Sequence, residues 1–182
     1  MRRLLLAGFA LAALTIAAPA VAQSATATAT AWSPMSFDWN ATTKTFKYRV
    51  VAGMSAAKSP FNFNGKTDGE LAMVVPIGTT LVIDFVNEDG VPHSAEVILD
   101  KDPMPTEGGA PAIQRAYTIK ALEGMAQGEK DVMRFKAVEA GRYRLFCAVP
   151  GHGLSGMWIG LVVDADASIT PRIDTTVTQA HR

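Results

Sequence analysis

Between Thr45 and Val163 apolar residues return at every second position, in runs too short for helices and closed off by glycine, proline or asparagine. Thr45-Phe46-Lys47-Tyr48-Arg49-Val50-Val51 alternates apolar with basic side chains, the period of a strand buried on one face. Leu71, Met73 and Val75 repeat that period ahead of Pro76, and Gly78 marks a turn. Leu81, Ile83 and Phe85 share one face within 79–87, after which Asn87-Glu88-Asp89-Gly90 is loop chemistry. Ser94 to Leu99, Val132 to Val138, Arg142 to Phe146 and Met157 to Val163 read as further strands. No stretch keeps a 3.6-residue period, and there is no internal repeat. About seven short strands with turn signals between them predict an all-β chain folded as a Greek-key β-sandwich or barrel. Residues 100–128, rich in proline, glycine and polar side chains, read as a long connection in which 114–122 is the part expected to be ordered.

The chemistry concentrates before the last of these strands, in Phe146-Cys147-Ala148-Val149-Pro150-Gly151-His152-Gly153-Leu154-Ser155-Gly156-Met157-Trp158. Cys147 is the single cysteine of the chain, and it opens a Cys-x4-His-x4-Met pattern. A thiolate, an imidazole and a thioether on one short loop suit a copper ion cycling between Cu(I) and Cu(II). A second imidazole is needed. Of the three histidines, His181 lies in a polar tail and is assigned nothing, whereas His93 follows Val91-Pro92 at a loop-to-strand junction. His93, Cys147 and His152 as a trigonal set, with Met157 as a long axial ligand, make a type 1 blue-copper arrangement.

The neighbours are expected to serve that site. Gly151, Gly153 and Gly156 allow a tight loop, and Pro92 and Pro150 stiffen the backbone beside two ligands. Phe146, Val149, Leu154 and Trp158 are expected to exclude water, which favours the less charged Cu(I). A backbone N–H near Ser94 is expected to donate to the cysteine sulfur. Pro150, Gly151, Gly153 and Leu154 are expected to form an apolar docking patch beside the His152 imidazole, through which electrons leave. Phe61-Asn62-Phe63-Asn64-Gly65 alternates phenylalanine with asparagine. Its rings are expected to pack beneath the copper loop, and Asn62 or Asn64 to tie loops together.

Competing readings fit less of the chain. Gly151-x-Gly153-x-x-Gly156 satisfies a dinucleotide-binding pattern, but the apolar run after it reads as a strand, so no helix N-terminus receives a pyrophosphate. A copper-dependent oxidoreductase lacks support, because Phe146 and Ala148 flank Cys147 where histidines would wire it to further copper ions. A hydrolase using Cys147 as nucleophile and His152 as base leaves His93 and Met157 without a purpose.

Cys147-x-Val149-Pro150-Gly151-His152-x3-Gly156-Met157-Trp158 resembles the copper loop of the sulfocyanins, relatives of rusticyanin within the cupredoxins. Phe61-Asn62-Phe63-Asn64-Gly65 is similar to a second motif of that group, and Val91-Pro92-His93 fits its first histidine ligand. The resemblance spans roughly 46–163. It implies a cupredoxin β-sandwich binding one type 1 copper through His93, Cys147, His152 and axial Met157. It also implies an electron carrier, not an enzyme, working in an exported respiratory chain with redox proteins such as c-type cytochromes or a terminal oxidase. A monomer is expected.

The ends read differently. Arg2-Arg3, the apolar run from Leu4 to Ala18 and Ala20-Val21-Ala22 make a signal peptide, with cleavage expected after Ala22. The run is short for a membrane span, so attachment to a membrane requires that this segment stay uncleaved. Export to the periplasm or beyond follows. Removal leaves 15 basic against 17 acidic residues, a balance unlike the basic footprint of a nucleic-acid binder. The expected organisation is a signal peptide over 1–22, a lead-in over 23–44, the copper domain over 45–163 and a polar tail over 164–182.

Overall fold

The computed structural model describes residues 32–176, apart from Ala56 and Lys58. The signal segment, the first nine residues of the lead-in and the end of the tail with His181 lie outside the described residues. Among the described residues there are nine strands: β1 (Phe37–Asn40), β2 (Thr45–Ala52), β3 (Ala72–Pro76), β4 (Thr80–Asn87), β5 (Glu96–Leu99), β6 (Lys130–Lys136), β7 (Gly141–Phe146), β8 (Trp158–Asp164) and β9 (Arg172–Asp174). They form two sheets, ordered β1-β2-β4-β6 and β5-β7-β8-β3-β9, and no helix occurs among the described residues. Strands β2 and β4 pair parallel, as do β3 and β8, and the other neighbours are antiparallel. A parallel pair needs a crossover, so the chain changes sheet repeatedly and encloses one core.

That core follows from the alternation. Phe46, Tyr48 and Val50 of β2, with Leu81, Ile83 and Phe85 of β4, meet Met73, Leu145, Ile159 and Leu161 of the opposite sheet, all at most 1 % exposed. Lys47, Arg49 and Asp84 point the other way, where Lys47 pairs with Asp84 at 3.1 Å. Two strands lie outside the 45–163 span. β1 pairs with β2 through Phe37↔Tyr48 and Trp39↔Phe46, and β9 pairs with β3 through Met73↔Ile173.

The 100–128 connection contains neither strand nor helix, yet it is tied down throughout. Its backbone runs beside β5, with Ala112 N–H to Val97 O, Val97 N–H to Ala116 O and Thr118 N–H to Ala95 O, each at 2.8 Å. It therefore covers the outer edge of the second sheet, an edge that would otherwise leave β5 unpaired. Further back Arg144, 3 % exposed on the outer face of β7, draws in Asp100 at 2.6 Å and Asp102 at 3.1 Å.

Candidate metal centre

Strands β5, β7 and β8 end together, and their ends carry the candidate ligands. Cys147 follows the last residue of β7 and Met157 precedes the first of β8; Cys147 N–H donates to Met157 O at 2.9 Å, which closes the loop between them. Inside the closure the chain coils tightly, with His152 N–H to Val149 O and Met157 N–H to His152 O, both at 3.1 Å. Gly156 has φ +90°, and a Cβ there would lie 2.8 Å from a carboxylate oxygen of Asp68, so both conformation and space call for glycine. A strand follows Gly156, and the dinucleotide pattern has no helix to open.

His93 comes from a different part of the chain. Its backbone pairs with Met125 in both directions, His93 N–H to Met125 O at 3.2 Å and Met125 N–H to His93 O at 2.8 Å. The two segments bring His93, Cys147 and His152 together, and among the described residues they are the group of histidine, cysteine and acidic side chains placed to hold a metal ion. The Nδ1 atoms of the two histidines are 3.2 Å apart, and Cys147 Sγ stands 4.0 Å from His93 Nδ1 and 3.5 Å from His152 Nδ1. A point equidistant from these three atoms lies about 2.1 Å from each, which matches ordinary metal–imidazole and metal–thiolate bonds of about 2.0–2.3 Å. The donor set of two imidazoles and one soft thiolate suits one copper ion. Met157, fully buried, adjoins the triangle through its backbone bonds to Cys147 and His152.

The electrostatics favour ligation as well. Burial holds the His93 imidazole below its ordinary pKa against the pull of Asp89. Burial, then the nearby His93, does the same for His152. Both shifts favour the neutral ring, the form with a lone pair to offer. Burial pushes the Cys147 thiol upward, opposed by N–H donors from Ser94 and Val149. These donors are aimed at negative charge on sulfur, and a cation in the triangle supplies the rest of the drive to thiolate.

The Ser94 N–H lies 3.4 Å from Cys147 Sγ, as the sequence suggested. Ser94 Oγ donates to Ala121 O at 2.6 Å and accepts from Ala148 N–H at 3.2 Å, so the 100–128 connection grips both ligand segments. It grips the copper loop again through Gly151 N–H to Thr106 O at 2.7 Å and Gly108 N–H to Ala148 O at 2.8 Å.

The motif over 61–65 divides its labour. Phe63 is fully buried and meets Phe85 edge-on in the core, whereas Phe61 covers the imidazoles, 4.8 Å from the His152 ring and 6.3 Å from that of His93. The two rings thus do not act together beneath the loop. Asn64 accepts from Val51 N–H at 2.6 Å and donates to Tyr48 OH and Arg49 O, and Asn62 accepts from Met54 N–H and donates to Ser59 O. Both asparagines tie loops to β2 or to each other.

Two expected shielding groups are placed differently from the simple picture: Leu154 is 57 % exposed and excludes no water, and Trp158 lies beneath the Arg144 guanidinium at 4.7 Å. Gly153, expected in the docking patch, is buried against Phe146. The cover over the histidines is Phe61 instead. Sequence reasoning also passed over Asp89, whose Oδ2 lies 3.2 Å from His93 Nε2, because Asn-Glu-Asp-Gly carries the signal of an ordinary turn.

The sulfocyanin (SoxE) domain model matches residues 32–173. The chain belongs to the sulfocyanin family. A sulfocyanin from Sulfolobus acidocaldarius is 30% identical over 134 residues, which is 68% of this chain and 66% of that relative, just under two thirds of its length. Among solved structures, reduced rusticyanin in solution superposes with a TM-score of 0.51 at 22% identity, over 66% of this chain and 77% of that one. Auracyanin B superposes with a TM-score of 0.48 at 24% identity, over 71% of this chain and 96% of its own. The likeness to rusticyanin shows a cupredoxin sandwich, and the span matched by the sulfocyanin domain takes in β1, the seven strands after it and the first two residues of β9.

Proposed function

We propose that this sulfocyanin-family chain is an exported carrier of single electrons that binds one copper ion through His93, Cys147 and His152, with Met157 as the axial ligand. The observation that carries the reading is the triangle of Nδ1, Nδ1 and Sγ atoms, sized for one ion and built on two separate segments. When bound, the ion supplies a one-electron couple between Cu(I) and Cu(II). The residues around it hold geometry. Backbone bonds fix Cys147 to Met157 and His93 to Met125, and Phe61 packs on both rings, so little can move when charge changes.

His152 is the exit. It is the half-buried member of the triad, whereas His93 and Cys147 have no exposure. Beside it Pro150 and Leu154 stand at the surface as an apolar contact for a partner, such as a c-type cytochrome or a terminal oxidase, acting as donor or acceptor. An apolar face suits brief docking, since surface charge pairs contribute little to affinity. A signal peptide cleaved after Ala22 would deliver the domain outside the cytoplasm as a monomer.

Adding Cu(II) to metal-free protein tests the reading. An intense blue or green colour with one copper per chain is expected. A colourless protein whose thiol reacts with alkylating inhibitors and which turns over esters would sink it in favour of a cysteine hydrolase.

A further inference from the structure

Asp89 stands behind His93, on the side of the ring away from the metal triangle. Its carboxylate Oδ2 is 3.2 Å from Nε2, while Nδ1 of the same ring faces Cys147 and His152. The backbone that carries this carboxylate is held in place from several directions. Asp89 N–H donates to Asn87 Oδ1 at 2.9 Å, and Asn87 Nδ2 donates to Val91 O and Met125 O, both at 2.8 Å. Across the gap lies Gly53, with φ +66°, where an added Cβ would collide with Asp89 Cβ. Gly53 is itself fixed by the 61–65 motif, since its N–H donates to Asn62 O at 3.1 Å and Met54 N–H donates to Asn62 Oδ1 at 3.2 Å. Asn62, Gly53, Asp89 and His93 thus form one continuous chain of contacts.

We infer that Asp89 is the positioning residue of His93: its carboxylate captures the Nε2–H and so leaves the Nδ1 lone pair aimed at the metal before any metal arrives. The inference rests on the copper reading above for its purpose, not for its geometry. An imidazole carries its single proton on either nitrogen, and the partner of one nitrogen decides which. With Nε2–H donated to Asp89, the 3.2 Å contact between the two Nδ1 atoms in the metal-free chain has His152 Nδ1–H as donor and His93 Nδ1 as acceptor. The two histidines therefore start as opposite tautomers. His93 is ready to ligate, whereas His152 would have to carry its proton on Nε2 to offer its Nδ1 lone pair to an ion. The formal charge of Asp89 also favours Cu(II) over Cu(I).

Two measurements read this. In metal-free protein, long-range 15N–1H spectra should show His93 as the Nε2–H tautomer and His152 as the Nδ1–H tautomer. Asp89→Ala should turn His93 into a mixture, and Asp89→Asn, which keeps an acceptor, should preserve the tautomer. In copper-loaded protein, Asp89→Ala should lose Cu(II) to a competing chelator about tenfold or more readily, the usual scale for removing the partner of a ligating histidine. Its potential should rise, and that of Asp89→Asn should rise by less. Glu88→Gln, which alters the neighbouring carboxylate paired with Arg49, should match wild type in both. An Asp89→Ala protein with a single Nε2–H tautomer at His93 and wild-type chelator competition overturns the inference. Failure of the wild type to develop a visible band would instead remove the copper reading and leave the tautomer result standing.

Discussion

The two halves of the metal site are built to different standards of closure. On the inner half, His93 and Cys147 have no exposed surface, and every nearby polar group is tied: Ser94 to Cys147, Ala148 and Ala121, His93 to Met125 and Asp89. On the outer half, His152 is half-buried, Phe61 leans on its ring, and Pro150 and Leu154 face solvent. The inner half sets the electronic properties of a bound ion and the outer half sets who can reach it. An electron carrier needs both. A site closed on all sides would exchange electrons slowly, and one open on all sides would lose its geometry and its metal.

The contrast can be broken most severely from inside. Cys147→Ser should abolish the visible band altogether in absorption spectra of the copper-treated protein, and retained colour would show that the thiolate is misassigned. Met157→Leu should keep the band and raise the potential in a redox titration, because it removes only the weak axial donor. A lost band would place Met157 in the trigonal set.

Away from the ion but still on the inner half, Asn64→Ala should lower stability in chemical denaturation by about 2–4 kcal/mol. It strips partners from Val51 N–H and Tyr48 OH, both buried, and from the part-buried Arg49 O. A loss below ~1 kcal/mol would mean that β2 holds its loop without the motif.

Leu154→Asp is the matching test of the outer half. Absorption band, potential and stability should stay within error of wild type, while stopped-flow reaction with the natural partner slows severalfold or more. An unchanged rate would move the docking surface elsewhere.

The smallest effect is expected behind the site, at Glu96. This carboxyl is 2 % exposed on β5, accepts one N–H from Gly109, and is pushed above its ordinary pKa of 4.5 by burial. The folded chain therefore binds this proton more tightly than the unfolded chain, and stability is lost as pH rises above 4.5. Glu96→Gln should be modestly more stable than wild type at pH 7, and the gap should close below about pH 4.5. A gap that persists in acid would trace the effect to packing.

Much of this was legible in the chain before any coordinates. Seven strands announced themselves because a half-buried strand writes its burial into alternate residues, as in Phe46, Tyr48 and Val50. The candidate ligands stood out because few residue types bind copper, and one cysteine with so few histidines leaves little choice. β1 and β9 were not, being three or four residues long, half-exposed and stabilised by neighbours distant in sequence. The 100–128 connection hid its role for another reason. It works through main-chain groups, with Thr106 O, Gly108 N–H and Ala121 O gripping the site, and a backbone contact leaves no mark on residue type. Asp89 does use its side chain, but its place beside His93 depends on loops that only the fold brings together, whereas the contact of Phe61 with the copper loop was anticipated by the alternation over 61–65.

The full burial of Cys147 has a consequence for a chain still waiting for its metal. A thiol with no accessible surface meets an oxidant, an alkylating agent or a second chain only when the loop between β7 and β8 comes undone. Its rate of chemical labelling is thus a clock for the opening of that loop, and the closed state protects the single thiol from damage until the ion takes it.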